Sequence, residues 1–559
     1  MSALTPPRST PTVRGNRRWV ERASPPSPPV ARRRRLLALA VLGVVLALAS
    51  AGWFVLRGSG TPPPATGAAR VVPADVLAYV HLSTDPSRPA VQAARRLADR
   101  FPGYPLLYAA VVSRLDGVLG GGANVDFDSQ VGPWLGKEAA LAVLPSTGAS
   151  APTLLVLDVS DRARAQAFLS SVGAASAGNY DGVRLLAYPS GSEVALVGHY
   201  LVAGPSAGVR AAIDAARGRV PSLAGDDAYA HATASEPAGR VLDAYLPAAG
   251  VTRLLSARGG VAGAIGLLLD RPGVVGSAIS VSATSGSPPS LAQVLVHSVM
   301  SARTKPGGST FTPTLQTVLP TGSTLMLDVR DLRRVAPELL NAGALAGIGA
   351  NVGPLLDRLG AALTAQGVNV RSVLSVFDGE TAVALSPGPS PALLIVARVR
   401  NQAAAQGELA SLEGPLTTLF APSSGAAAGQ VPELADTQVG GTTVHEVQLG
   451  PGLQVDYGVF DGLAVVSTSL QAIDGVAQRS HALSDEAAYH AVVPAGSGQV
   501  SSLLFGDFTN LLSLGAQTGL TSGTRTRELL PDLSKVRAIG LSSASGENDT
   551  TTEMTFEIR

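Results

Sequence analysis

The chain has 559 residues, a formal net charge of +1 and no cysteine. The lack of cysteine excludes disulfides, thiolate metal sites, thiol catalysis and a lipidated cysteine, and a composition of 46% hydrophobic and 15% charged residues excludes wholesale disorder. The charge is unevenly spread, because residues 1–57 contain ten of the 42 basic residues and one of the 41 acidic residues. The rest of the chain is net acidic and offers no basic patch for nucleic acid.

An apolar segment of 21 residues without a charge occupies positions 36–56, LLALAVLGVVLALASAGWFVL. At a rise of about 1.5 Å per residue, its length matches a bilayer hydrocarbon core of about 30 Å. Arg32–Arg35 precede it directly, and the positive-inside rule keeps such a flank in the cytoplasm. The segment predicts an uncleaved transmembrane signal anchor in the cell membrane, with the C-terminal bulk extracytoplasmic. A signal peptide cleaved near Ala49 or Ala51 is the alternative.

The two segments beside this apolar stretch show no hydrophobic periodicity. Residues 1–35 are rich in proline, serine and arginine, which is typical of a disordered chain, and they are predicted to form a basic cytoplasmic tail. Residues 57–70 carry glycine, proline and alanine in place of large apolar side chains, and are predicted to form a partly extended linker.

The remainder of the chain contains an internal sequence repeat. Three pairs of matching segments show this: Leu77–Leu82 with Thr324–Val329 at an offset of 247, Glu138–Pro145 with Glu380–Pro387 at 242, and Ala278–Gly286 with Ala538–Gly546 at 260. The drifting offset indicates loop insertions between fixed elements. We therefore predict two tandem duplicated domains, at residues 71–300 and 318–559, joined by a linker at 301–317 that is rich in small and polar residues.

Hydrophobic periods of two and 3.6 residues alternate within the first copy. The predicted elements are strands at Ala139–Leu144 and Leu154–Val159, a helix at Arg162–Val172, strands at Val183–Tyr188 and Glu193–Ala203, a helix at Ala207–Arg217, and terminal hairpins at Val274–Val299 and, in the second copy, Val536–Ile558. Neighbouring strands with short connections pair antiparallel, because parallel strands need a crossover of a dozen or more residues. The predicted fold class is α+β, with each domain a mainly antiparallel sheet with packed helices in the repeated order strand, strand, helix.

Three motifs carry a resemblance to a known family. They are Val72-Pro-Ala-Asp-Val-Leu-Ala-Tyr-Val-His-Leu82, Gly136-Lys-Glu-Ala-Ala-Leu-Ala142 and Tyr200-Leu-Val-Ala-Gly-Pro-Ser-Ala-Gly-Val-Arg-Ala-Ala-Ile213. Behind a single anchor, these motifs resemble the bacterial, actinobacterial-type membrane-anchored family catalogued as domain of unknown function 3352. The resemblance implies a place in the cell envelope but no particular activity, because none is assigned to that family.

One short motif raises the question of catalysis. Gly204-Pro-Ser206-Ala-Gly208 fits the G-x-S-x-G nucleophile elbow between a predicted strand and a predicted helix. A triad would need an acid and a histidine, and the candidates are Asp226 or Asp243 with His231 or His297. The elbow requires a mainly parallel sheet, whereas this strand follows its neighbour through a tight turn, and the second copy (Val465-Val-Ser-Thr-Ser469) lacks both glycines. The pattern therefore favours helix capping by Ser206 over catalysis.

The other candidate residues favour structural roles. The seven histidines show no metal-ligand spacing, and the acids before Tyr229 and Tyr489 indicate helix starts with an inward-packing tyrosine, although a binding tyrosine is the alternative. The glycines at 120–122 and at 347, 349 and 353 lack the strand and the Lys-Ser/Thr of a phosphate loop, and Asp378-Gly-Glu380 indicates a turn into a strand. The sequence thus predicts no catalytic, cofactor-binding or metal-binding residue, and no cofactor.

Taken together, these patterns predict a non-enzymatic binding or scaffold protein of the cell envelope. Its expected partners are the membrane, through one helix, and an envelope protein, a lipid or a cell-wall component; the oligomeric state is left open. Two alternatives stay open: an anchored serine hydrolase that uses Ser206, and a lipid-handling protein. A deep apolar cavity in each domain would favour lipid handling.

Overall fold

The computed structural model describes residues 62–559 except for 107, 110–124, 147–150, 189–190, 257–272, 285–289, 302–308, 333–359, 362, 387–391, 420–432, 451–452, 494–497 and 518–523. The predicted tail (1–35) and membrane segment (36–56) lie outside the described residues, as do the glycines at 120–122 and at 347, 349 and 353. Among the helices that the structure describes, none combines the length and the apolar character needed to cross a membrane.

The strands of the first half of the chain are β1 (Ala78–Ser83), β2 (Leu135–Val143), β3 (Thr153–Val159), β4 (Ala175–Tyr180), β5 (Val183–Ala187), β6 (Glu193–Val197), β7 (Tyr200–Gly204), β8 (Leu242–Pro247), β9 (Val274–Thr284) and β10 (Ser290–Met300). Those of the second half are β11 (Leu325–Arg330), β12 (Glu380–Ser386), β13 (Ala392–Arg398), β14 (Glu433–Val439), β15 (Thr442–Gly450), β16 (Leu453–Phe460), β17 (Leu463–Ser467), β18 (Ser502–Asp507), β19 (Val536–Ser545) and β20 (Asp549–Ile558). They are rich in valine, leucine and alanine, which suits a sheet with at least one buried face.

All pairings in this sheet are antiparallel, which confirms the prediction of an α+β fold with a mainly antiparallel sheet and packed helices. Followed from one edge, the strand order is 4-5-6-7-3-2-1-8-9-10, then 20-19-18-11-12-13-17-16-15-14. Read inward from the β14 edge, the order repeats the one read inward from the β4 edge, with each strand replaced by the strand numbered ten higher. β10 pairs with β20 along almost its whole length, so the two halves share one continuous sheet.

The α-helices are α1 (Pro89–Ala98), α2 (Arg162–Ser171), α3 (Ser206–Ala216), α4 (Asp227–Thr233) and α5 (Ala248–Val251) in the first half, and α6 (Val370–Ser375), α7 (Gln402–Ala410), α8 (Glu413–Leu419), α9 (Leu470–Gln478), α10 (Ala487–Val492), α11 (Phe508–Gln517) and α12 (Thr524–Leu533) in the second. Each half has a main core under a matching helix. Val209, Ala212 and Ile213 of α3 pack in the first core, and Ala472, Ile473 and Val476 of α9 pack in the second.

Three predictions about local structure are wrong. The segment predicted as one strand over Glu193–Ala203 is the hairpin β6–β7, because Gly198 adopts a φ of 63° and turns the chain. The strand β4 has no predicted counterpart because nearly all its side chains are exposed and carry no alternating pattern. Four strands therefore lie between α2 and α3, and the predicted order of strand, strand, helix does not hold.

The predicted linkers also contain folded chain. Gly67–Arg70 forms a 3-10 helix whose Ala68 and Ala69 are buried in the first core, although residues 57–70 are predicted as linker. Leu315–Thr317 forms a second 3-10 helix with Leu315 buried, within the linker predicted at 301–317. Each half therefore has folded chain before the boundaries predicted at 71 and 318, held by buried Ala68 and Ala69 in the first half and by buried Leu315 in the second.

Candidate functional site

The site begins with Glu138 near the start of β2, whose carboxylate reaches the 3-10 helix at Gly67–Arg70. It accepts hydrogen bonds from the amides of Gly67 (3.0 Å) and Ala68 (3.1 Å), and from the Tyr200 hydroxyl of β7 at 2.7 Å. The glutamate is only 2% exposed, and charge-assisted bonds of this kind are about twice as strong as neutral ones. Glu138 therefore fixes the N-terminal segment onto the sheet.

His81 in the middle of β1 lies between two carboxylates. Its Nδ1 is 3.0 Å from Asp243 Oδ1 on β8, the residue directly opposite in register, and its Nε2 is 3.3 Å from Glu138 Oε2. Burial alone would lower the pKa of His81, but the charge and hydrogen bond of Asp243 and the contact with Glu138 outweigh it and raise the pKa to about 9. The imidazole is therefore a buried cation at neutral pH.

The same contacts act on the glutamate. Burial would raise the pKa of Glu138, but hydrogen bonds from His81, Tyr200 and the Ala68 amide outweigh it, and the pKa lies below its usual value. His81 and Glu138 therefore stabilise each other in their charged forms.

A second cation extends this cluster toward the surface. Arg240 lies just before β8, and its Nε is 3.0 Å from Asp243 Oδ1 and 3.0 Å from Glu236 Oε2. Arg88 supports this segment by donating from Nη1 to the Arg240 carbonyl at 3.0 Å and from Nη2 to the Ala238 carbonyl at 2.9 Å. Burial and then the negative charge of Asp243 raise the pKa of Glu236 to about 8. We call His81, Glu138, Glu236, Arg240 and Asp243 the ionic cluster.

An open cleft of about 1120 Å³ lies above the ionic cluster. Glu138, Tyr200, Glu236 and Arg240 line it, together with residues of the 65–71 segment, the β6–β7 turn, the end of α3 and α4. Asp226 sets the start of α4, because its side chain accepts from the Tyr229 amide at 2.8 Å. The cleft thus lies between several segments of the first half, over a floor of mutually bonded charges, which is a firm base for binding.

The second half holds a related but different arrangement. Glu380 begins β12 and accepts hydrogen bonds from the amides of Thr314 and Leu315 at the N-terminal end of the second 3-10 helix. In the first half, His81 lies opposite Ala140. In the second half, Asp328 lies opposite Ala382 and so takes the position of His81, and Leu503 takes the position of Asp243. Asp328 is fully buried, and neither of its carboxyl oxygens has a hydrogen-bond partner among the described residues.

The residues proposed for a serine triad each have structural contacts of their own. Ser206 is the first residue of α3, and the residue in the capping position is Pro205, with no side-chain cap hydrogen bond. The prediction that Ser206 caps the helix is therefore wrong. His231 Nδ1 contacts the Asp227 carbonyl at 2.7 Å, and β7 runs antiparallel to both of its neighbours.

The remaining candidates have other contacts. His297 contacts the Ala232 carbonyl at 2.8 Å and Asp549 at 3.0 Å. Of the two candidate acids, Asp226 bonds to its own helix and Asp243 belongs to the ionic cluster. In the part of the chain that the structure describes, no group of side chains is suited to hold a metal ion.

Two structural interpretations are confirmed. Tyr229 and Tyr489 follow the predicted helix starts and are 9% and 5% exposed, so both pack inward. Asp378 and Gly379 lead directly into β12 at Glu380. Sequence reasoning missed the ionic cluster, because its members are far apart in the chain; the available signal was a glutamate at or near the start of a strand in both halves.

The fold and site define a class of protein: an α+β chain with one sheet of mirrored strand order and a cleft above a buried ionic cluster in its first half. The chain belongs to DUF3352, a family described as protein of unknown function, whose profile matches residues 36–559. The family resemblance is thereby confirmed.

A comparison with curated proteins gives no significant match. Among solved structures, the chain is similar to crystal forms IV, III and I of TP0453, at 12%, 10% and 12% identity, each with a TM-score of 0.25. These matches cover 42%, 45% and 45% of this chain and 83%, 90% and 89% of TP0453. They are too weak to support an argument about fold or function.

Proposed function

We propose that this protein is a non-enzymatic binding protein of the cell envelope, anchored in the cell membrane by residues 36–56, which holds its ligand in the cleft of its first half. The observation that carries the proposal is the cleft itself. Its floor is a set of buried charges that fix one another, and in the second half Asp328 and Leu503 stand at the positions of His81 and Asp243. A preorganised polar floor beneath an open volume is typical of ligand sites.

The anchor follows from the sequence. The family profile begins at residue 36, the first residue of the apolar segment, so the segment belongs to what the family shares. The arginines before it favour a cytoplasmic N-terminus. A reporter that is active only outside the cytoplasm should be active when fused after Arg559. Activity at this position of a reporter that works only in the cytoplasm would contradict this orientation.

The two halves are proposed to be tandem copies of one unit. Their mirrored strand order and the matching segments along the chain support this. Matching residues also have matching roles, since Glu138 and Glu380 each bind the amides of a 3-10 helix.

The non-enzymatic role is supported by how the charged groups pair. Both nitrogens of His81 are engaged by carboxylates, and Glu138 is already held by two amides and a hydroxyl. General bases and nucleophiles need a free position toward the substrate, whereas these groups face each other.

A matched pair of photo-crosslinking positions tests the site. A photoreactive residue at Ala230, which lines the cleft on α4, should form a specific adduct in the native membrane. The equivalent position in the second half is His490 on α10, which is also exposed and serves as the control. Equal adducts from both positions, or none from Ala230, would contradict a binding site in the first half.

A further inference from the structure

The floor of the cleft contains a polar atom without a partner. The Glu236 side chain is 3% exposed, and its Oε2 contacts Arg240. Its Oε1 is buried and has no hydrogen-bond partner among the described residues. Leaving such an atom unsatisfied costs about 1–3 kcal/mol, so the position favours a ligand group that completes its hydrogen bonding.

The charges around the cleft favour a negative ligand. Arg70, Arg217 and Arg240 line it, and the acidic side chains that line it are Glu138 and Glu236. Glu138 is already engaged by two amides, Tyr200 and His81. Arg70 is exposed, and the Arg217 side chain is 55% exposed with Asp181 3.6 Å away, so both can turn toward a ligand.

The cleft also lies close to the proposed anchor along the chain. Its wall includes Ala65 to Val71, and the apolar segment ends at residue 56. Nine residues span at most about 30 Å when fully extended, so this wall stays within that distance of the membrane surface.

We propose, on the basis of the anchored binding function above, that the cleft binds the phosphate group of an anionic ligand. Arg70, Arg217 and Arg240 supply positive donors, since a guanidinium matches phosphate oxygens in a bidentate geometry. Glu236 lines the cleft, and it completes the site when its side chain turns toward the ligand and donates from its protonated carboxyl to a phosphate oxygen. A lipid headgroup and a soluble phosphate ester share this chemistry.

The protonation of Glu236 gives the site a pH dependence. Burial and the charge of Asp243 keep its pKa at about 8, with Arg240 and His81 acting in the opposite direction; the Tyr229 phenol also lies near it. Below that pH the carboxyl donates, and above it the carboxylate repels an anion. Binding should therefore weaken as the pH rises through about 8.

The test uses the full chain in non-ionic detergent, with calorimetric titration of four probes: inorganic phosphate, dimethyl phosphate, phosphatidylglycerol in mixed micelles, and diacylglycerol as the lipid without phosphate. Arg70→Gln and Arg217→Gln together should weaken binding of the phosphate probes at least tenfold. Arg400→Gln, an exposed arginine of the second half, should leave it unchanged. An unaltered unfolding transition verifies that the variants fold.

The outcomes separate the sources. Binding of dimethyl phosphate assigns the site to soluble phosphate esters, and binding of phosphatidylglycerol alone assigns it to a lipid headgroup. Diacylglycerol binding as tightly as phosphatidylglycerol, no binding of any phosphate probe, or unchanged binding by the double arginine variant would overturn the proposal.

Glu236→Gln gives the decisive second readout, because the amide keeps a neutral donor. Between pH 7 and pH 9 the unaltered protein should lose at least fivefold more affinity for phosphatidylglycerol than this variant does, because the titration of His81 near pH 9 is common to both; a phosphodiester keeps its single charge over this range. Equal pH profiles would refute the role of Glu236. Failure of all phosphate probes with a retained adduct at Ala230 would reject this ligand class and leave the binding function standing.

Discussion

The two halves of the molecule attach a 3-10 helix to the sheet in the same way but with different residues. In each, a buried glutamate binds the amides of a 3-10 helix, and a hydroxyl donates to it. In the first half the hydroxyl is that of Tyr200, 2.7 Å from Glu138, and in the second it is that of Thr314, 2.5 Å from Glu380. The position equivalent to Thr314 is Gly67, where an added Cβ would lie 2.2 Å from the Tyr200 hydroxyl oxygen. A hydroxyl donor is therefore present in both halves, but it lies on strand β7 in the first half and directly before the 3-10 helix in the second.

The central strands differ more deeply. His81 in β1 is a buried cation between two carboxylates, whereas Asp328 in β11 is a buried acid beside Leu503. Burial, and then the negative charge of Glu380, raises the pKa of Asp328 to about 9. Both halves keep the glutamate, whereas among the described residues the ionic cluster lies in the first half, beneath the cleft. The following predictions test this difference.

The largest expected effect is that of His81→Leu. Removing the cation leaves Asp243 and Glu138 buried near each other, and breaking a buried ion pair in this way costs about 3–5 kcal/mol. The free energy of unfolding, measured with urea at pH 6, should fall by this amount. The loss should shrink toward pH 9.5, because a histidine whose pKa rises from 6.5 to about 9 on folding stabilises the native state below pH 6.5 and loses that contribution through pH 9.

The equivalent substitution in the second half should change the free energy of unfolding in the opposite direction. Asp328→Leu removes a carboxyl that folding keeps protonated, and it should raise the free energy of unfolding by roughly 3 kcal/mol at pH 7. The unaltered protein loses stability as the pH rises from about 4 to 9, because the folded state retains a proton that the unfolded state has released. Asp328→Leu should lack this slope in urea titrations, and a destabilised variant at pH 7 would contradict the comparison.

Two substitutions, alone and combined, test whether a hydroxyl at position 67 can replace that of Tyr200 as the donor to Glu138. Gly67→Ser should destabilise the protein by about 2 kcal/mol, because its Cβ overlaps the Tyr200 hydroxyl. In a Tyr200→Phe background the space is free and the serine can donate to Glu138. The double variant should then be more stable than the sum of the single effects predicts; additive losses in denaturant titrations would reject the exchange.

The smallest effect is expected for Ser206→Ala. Its hydroxyl makes no helix-cap hydrogen bond, so stability should change by less than about 0.5 kcal/mol. Labelling of the full chain by a serine-reactive phosphonate should also be the same with and without this hydroxyl. Loss of labelling in Ser206→Ala would instead support the hydrolase alternative.

Much of the fold could be predicted because its strands carry their own apolar patterns. The terminal hairpins of both halves were predictable from alternation alone, and so were β2, β3 and the helix after β7. The β6–β7 turn was not, since Gly198 lies between two apolar runs that read as one strand. The ionic cluster was not either, because His81 and Asp243 are 162 residues apart and only the strand pairing brings them together.

The seam between the halves has a further consequence. In the antiparallel pair of β10 and β20, Val294 lies opposite Met554, which is 260 positions later and is its counterpart under the proposed duplication. A two-fold axis therefore passes through this residue pair, as it does through the centre of an isologous homodimer. One half expressed alone would present the β10 edge to a copy of itself in the same register. Under the proposed duplication, joining both halves in one chain removes the requirement that they stay identical, so one side of the axis can hold a cleft over charges and the other a buried acid.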